Sequence, residues 1–244
     1  YSPDVSLFGN DWTGKTVRYY GTGDREHPRY TMISNRFYVV VDTDELIDER
    51  DLINLTCDEL DDNADSNHDG SVNEADTNVK YQLSNLLYEG SALGWYRVLD
   101  AQTNCPDNLD EGVPIVSHVG ESILSQPTVF FKNVYFTSYQ PTFADPCNPM
   151  GNAFIYALDY SFGAATFNYN VNNDTTEGEV RSLTDTYRMI SNTAIPSGVK
   201  IITRDGTAAG MVSVGGSLVG VGEEGSTTIP GPPGGITPLL WETD

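Results

Sequence analysis

The sequence predicts a mainly β fold built of propeller-type blades and interrupted by an acidic, partly helical insertion. Three observations predict it. Short runs rich in aromatic and β-branched residues recur along the chain, each bounded by turn formers. Turn signals return about every 8–12 residues, the spacing of sandwiches, barrels and propellers. Two stretches also share one plan. YYGTG…RFYVVVD and VYFTSYQ…FIYALDYSFG each run through an apolar segment, a polar loop and a second apolar segment that closes on Asp. Short repeated units of this kind read as blades.

The elements follow in order. TVRYYGTG (16–23) and RFYVVVD (36–42) are the first strands. From Asp42 to Asp110 the chain turns acidic, with DTDELIDERDLINL followed by CDELDDNADSNHDG. Leu46, Ile47, Leu52, Ile53 and Leu55 stand at helical spacing, and so do Val79, Leu83, Leu86 and Leu87. Residues from about 43 to 110 are therefore expected to be a helical insertion within one domain spanning 1–244. PTVFFKNVYFTSY (127–139) is expected to split at Lys132-Asn133 into the two strands of a hairpin, and FIYALDY (154–160) continues the sheet. VKIITRDG (199–206), MVSVGG (211–216) and SLVGV (217–221) are further strands. GSTTIPGPPGGITP (225–238) has no periodicity and reads as an irregular, exposed loop.

Charge narrows the function. Lys and Arg number 13 against 35 Asp and Glu, a formal net charge of -22. Such a chain has little with which to neutralise a phosphate backbone, which argues against nucleic acid as a partner. It argues equally against docking on an anionic membrane, and it favours cations and an extracellular setting. The weakly polar run AAGMVSVGGSLVGVG (208–222) is too short and Gly-rich to span a bilayer. The chain begins at Tyr1 with no basic-then-apolar leader, so it is expected to be a mature product or a fragment. Cys57, Cys105 and Cys147 allow one intrachain disulfide with three pairings. Cys57 and Cys105 bracket the acidic insertion, so joining them would close its ends and leave Cys147 for a partner outside the segment.

DSNHDGSVNEAD (65–76) is the strongest motif, a twelve-residue calcium loop. Calcium takes six to eight oxygens at roughly 2.3–2.6 Å, and alternate positions of a tight loop aim their side chains at one centre. Asp65, Asn67 and Asp69 fill positions 1, 3 and 5, and Gly70 stands where the backbone turns sharply. Ser71 offers its carbonyl, Asn73 binds directly or through water, and Asp76 closes the loop. The closing residue is Asp rather than Glu, as in the loops of dockerin modules, which this segment resembles. Magnesium fits less well, because it prefers rigid octahedral sites.

The other motifs carry less. GVGEEG (220–225) fits G-x-G-x-x-G, but STTIPGPPGG follows it and cannot supply the helix a dinucleotide site needs. No Walker loop, HExxH or GxSxG occurs. His27, His68 and His118 are scattered, without an evident catalytic partner; His118, in IVSHVG, reads as a packed strand histidine. Asn54-Leu55-Thr56 and Asn173-Asp174-Thr175 fit the glycosylation pattern.

With these residues in view, the chain resembles the C-terminal region of PilY-type proteins, the tip-associated assembly factors and adhesins of bacterial type IV pili. The likeness runs through YYGTGDREHPRY (19–30), RFYVVVD (36–42), GWYRVLD (94–100), GESILSQPTVFFKNVYFTSYQPT (120–142), DPCNPMGNAFIYALDYSFG (145–163) and LLWETD (239–244), in the family's order. YALDYSFG (156–163) also resembles a blade motif of quinoprotein-like propellers. The resemblance implies the C-terminal part of a modified β-propeller at the pilus tip or outer cell surface. It implies a calcium site on Asp65, Asn67, Asp69, Ser71 and Asn73, with Asp76 added by the longer loop. Pilins or minor pilins and a surface ligand are the implied partners, in a non-enzymatic role in pilus biogenesis and adhesion. The alternatives are a quinoprotein-like propeller enzyme and a dockerin-like calcium-dependent module. Without the insertion and tail, the chain suits roughly three or four blades of about 40–50 residues. A closed ring generally needs more. The propeller is therefore expected to be completed by the rest of the same precursor or a companion chain, with TVRYYGTG (16–23) lining the open flank.

Overall fold

A computed structural model of the chain describes residues 4–7, 15–57, 60, 74–88, 91–105, 118–142, 150–171 and 183–232. The described strands form three sheets. The first has the order β1 (Asp4–Leu7), β2 (Thr16–Gly21), β3 (Arg36–Val41), β5 (Gly94–Val98), β4 (Ile53–Asn54). The second runs β6 (Thr128–Phe130), β7 (Asn133–Pro141), β8 (Gly151–Asp159), β9 (Tyr187–Ser191). In the third, β10 (Lys200–Arg204) and β12 (Ser217–Gly220) flank β11 (Thr207–Val214), and β13 (Thr228–Ile229) also pairs with β11. Every pairing is antiparallel except β4 with β5. Among the described residues no sheet closes on itself.

Strand alternation stacks these sheets. Val17, Tyr19, Phe37, Val39, Val41 and Trp95 point from the first sheet into one core, where they meet Val134, Phe136, Phe154, Tyr156 and Leu158 of the second. The intervening residues Tyr135, Ile155 and Ala157 point the other way. They meet Val199, Ala208, Val212, Val221 and Ile229 in a second core. The second sheet is thus covered on both faces, and all nine residues of β7 are buried. The two copies of the sequence repeat are the hairpins β2–β3 and β7–β8, and they face each other. Phe37 stacks on Phe136 with ring centroids 4.2 Å apart.

Three expectations need correction. Leu46 to Leu55 do not form a helix. Asp48 and Asp51 cap each other reciprocally, but they launch only a short 3-10 turn at Glu49–Asp51. Leu52 is already extended, and Ile53–Asn54 pair with Trp95–Tyr96. A β-branched residue beside an open strand edge outweighs an i, i+3 pattern this short. The hairpin turn sits at Phe131-Lys132, one residue earlier than expected, and both residues take positive φ. TVRYYGTG lines an outward flank only in part: β2 lies between β1 and β3 with Val17 and Tyr19 fully buried, and Tyr20 alone among its apolar side chains turns outward. The second helical stretch is observed as α1 (Glu74–Tyr88). Leu83 and Leu87 turn to the first core, while Tyr81 and Tyr88 face solvent.

Residues 118–125 cross between the first two sheets. Ser122 pairs with Tyr139 through two 2.9 Å backbone hydrogen bonds, and the Ile123 N–H donates to the Thr22 carbonyl at 3.0 Å. The approach is close enough that a Cβ on Gly23 would lie 2.6 Å from the Ile123 carbonyl oxygen.

Candidate functional site

The calcium-loop residues Asp65, Asn67, Asp69, Ser71 and Asn73 lie outside the described residues, and of Asp76 only the backbone, in α1, is described. Their supports are on view. Cys57 and Cys105 form a disulfide with Cα atoms 5.3 Å apart, spanning 48 residues and closing the base of the segment as its bracketing positions predict. Cys105 is fully buried. Leu60 on one side of the loop and Leu83 and Leu87 on the other pack against the same core. The described residues on either side of the loop are therefore anchored to the core. Helix α1 begins inside the loop's last third, as the helix after a calcium loop does. Among the described residues, no group of three His, Cys, Asp or Glu is placed to hold a metal.

A second polar centre lies where the crossing segment enters the core. Glu121, His118, Ser138 and Gln102 are fully buried, and so is Tyr156. Glu121 Oε1 accepts from Tyr156 Oη at 2.9 Å and from Ser138 Oγ, and its Oε2 meets His118 Nδ1. Gln102 Nε2 donates to Tyr156 Oη at 3.2 Å. The Glu121 carbonyl accepts from Asn35 Nδ2 at 3.0 Å. The His118 ring packs on Phe154 and meets Tyr187 edge-on. Burial, and then the Glu121 charge, push the Tyr156 hydroxyl pKa well above its usual value; the same causes raise Tyr187. Both carboxylate oxygens are taken up and no member of the cluster meets solvent. What this arrangement does chemically is anchor a buried carboxylate across two sheets.

Arg97 adds a second anchor. It is fully buried on β5, and its guanidinium donates to the Leu55 carbonyl (3.0 Å), Thr186 Oγ1 (2.9 Å) and the Gly163 carbonyl (3.2 Å). One planar fork thus joins the base of the insertion to the second sheet. At the surface, Asp24 Oδ1 accepts from the backbone N–H of Glu26 and His27, and Oδ2 meets His27 Nδ1 at 2.8 Å. That His27 contact, followed by the backbone hydrogen bond from Glu26, holds the Asp24 carboxyl below its usual range. The partners of Arg97 and the rings packed on His118 come from remote positions, so spacing along the chain did not reveal them. The Glu121 at i+3 from His118 was the one local signal.

No protein-family profile matches the chain, and no curated protein matches it. Its fold is similar to the crystal structure of the Pseudomonas aeruginosa PilY1 C-terminal domain, with a TM-score of 0.50 over 94% of this chain and 13% sequence identity. The chain spans 44% of the length of that solved chain. The resemblance carried by the sequence motifs is thus matched by the fold.

Proposed function

We propose that this chain is a non-enzymatic, calcium-binding part of a type IV pilus tip or assembly protein. It acts in pilus biogenesis and surface adhesion outside the cell. The observation that carries the reading is the similarity of fold to the PilY1 C-terminal domain over 94% of the chain, together with PilY-type motifs in the same order. No described helix is long and apolar enough to cross a membrane. The partners are pilins or minor pilins and a surface ligand.

The three stacked sheets are blades of a modified propeller. The first sheet turns Tyr20, Tyr38 and Tyr96 outward, with ring centroids 5.1 and 6.0 Å apart, and the third turns Leu218 outward. Half-exposed apolar end faces of this kind support a ring continued by the rest of the precursor or a companion chain.

One calcium ion is held by Asp65, Asn67, Asp69, the Ser71 carbonyl, Asn73 and Asp76. The sequence spacing that puts the carboxylates of Asp65, Asp69 and Asp76 at ligand positions, between flanking segments packed on the core, supports this assignment. Metal that binds only the folded form stabilises it by RT ln(1 + [L]/Kd), about 2.7 kcal/mol at a hundredfold excess over Kd. The melting temperature should therefore rise with calcium, fall with chelator, and become indifferent to both in Asp65→Ala. An indifferent wild-type chain refutes the metal site. The pilus role is tested separately, by counting surface pili and measuring adhesion in cells whose only copy lacks this region. Unchanged piliation and adhesion would refute it.

A further inference from the structure

The outer strand of the third sheet has an open edge with a definite chemical pattern. Residues 205 and 206 form a two-residue hairpin turn with φ of 49° and 80°, the type I′ geometry that places Arg204 and Thr207 in a hydrogen-bonded pair. Pairs alternate from there, so Ile201 and Thr203 direct their N–H and C=O groups away from β11. Earlier along the same side, Thr128 Oγ1 covers the Val199 carbonyl at 3.0 Å. Beyond it, nothing among the described residues pairs with Ile201 or Thr203. Lys200, Ile202 and Arg204 share one face of the strand, and all three are exposed, Ile202 at 52%. The edge therefore presents cation, apolar, cation at alternate positions, in a chain with only 13 basic residues against 35 acidic ones. Arg204 touches Asp205 at 3.3 Å, but both side chains are nearly 90% exposed, and such pairs are weak in water.

We propose that β10 is a docking edge for an extended acidic strand of a partner protein, with the pattern acidic-x-apolar-x-acidic. Such a strand supplies main-chain hydrogen bonds to Ile201 and Thr203, sets its two carboxylates beside Lys200 and Arg204, and covers Ile202. A second copy of β10 is the wrong occupant. Antiparallel pairing centred on Ile202 sets Lys200 against Arg204, and parallel pairing sets like against like. The inference uses neither the calcium loop nor the pilus reading.

The test uses the 244-residue chain, labelled with nitrogen-15, and the blocked peptide Thr-Glu-Thr-Val-Thr-Glu-Thr at millimolar concentration. The same peptide with Lys for Glu is the control. The acidic peptide should shift the Ile201 and Thr203 amides and slow their hydrogen exchange, with the control tenfold weaker or worse, about the discrimination expected of two charge pairs. Lys200→Glu combined with Arg204→Glu, both at exposed positions, should reverse the preference. Equal responses to both peptides, or to neither, would overturn the proposal and leave the cations as guards against self-pairing. Dimerisation of the wild-type chain through this edge in sedimentation would overturn it as well.

Discussion

Tyr156 donates a hydrogen bond to Glu121 at 2.9 Å across 35 residues of chain, and neither side chain meets solvent. Removing the acceptor should therefore cost more than removing one donor. Glu121→Gln keeps the shape but turns an amide N–H₂ toward Ser138, Tyr156 or His118, for a loss of about 2–4 kcal/mol in urea unfolding. Tyr156→Phe gives up one hydrogen bond and should lose about 1–2 kcal/mol. Equal stability of Glu121→Gln and wild type would show that the cluster is not an anchor.

Buried tyrosines set the alkaline limit. Burial raises the hydroxyl pKa of Tyr156, Tyr187, Tyr135 and Tyr169 in the folded chain. In the unfolded chain these groups ionise near 10, at about the model-peptide value. Above that pH the unfolded state releases protons first, so stability is level below about pH 10 and falls beyond it. Melting curves between pH 8 and pH 11.5 should show the fall, with a shallower slope in Tyr156→Phe. A flat profile through that range would contradict the burial of these hydroxyls.

Asp159 titrates at the acid side with the same sign. Burial raises its carboxyl pKa, while hydrogen bonds from the Ser161 N–H (2.7 Å) and Phe162 N–H (3.0 Å) oppose the shift. A raised folded pKa contributes stability below the unfolded value and loses it as pH climbs through the folded one. Asp159→Asn keeps an oxygen for both N–H groups and should match or exceed wild type at pH 7, with its advantage shrinking toward pH 3.5. Asp159→Ala strands both donors and should lose about 1–2 kcal/mol at either pH.

The Cys57–Cys105 disulfide closes a long loop, and the chain-entropy model assigns such a crosslink about 4 kcal/mol. Paired replacement of both cysteines by Ala should lower the denaturant midpoint accordingly. Replacement without effect would mean that the packing of Leu60, Leu83 and Leu87 alone holds the insertion.

Much of the fold was legible because its strands carry dense aromatic and β-branched runs. FIYALDY announced β8, and the repeat between RFYVVVD and FIYALDYSFG marked two hairpins that prove to face each other. Local spacing misled at Leu46–Leu55, where pairing with β5, some forty residues away, decided the conformation. Spacing was also silent on Arg97, and on Glu121 it offered only His118 three residues away. A buried charge is recognisable only by what surrounds it, and their partners lie from three to 89 residues distant. For the candidate calcium centre, the sequence pattern remains the direct evidence; the described residues add its supports.

The nine buried residues of β7 carry an evolutionary consequence. In a strand with one wet face, every other position drifts freely and the record of descent blurs at half the sites. Here Val134 and Phe136 answer to one core and Tyr135 to the other, and the rest of the strand is buried as well, so substitution is constrained along its whole length. Substitutions should accumulate on the outward faces of the first and third sheets while the middle slab stays nearly fixed. Ancestry in distant relatives is then best sought in the stretch from Asn133 to Asp159.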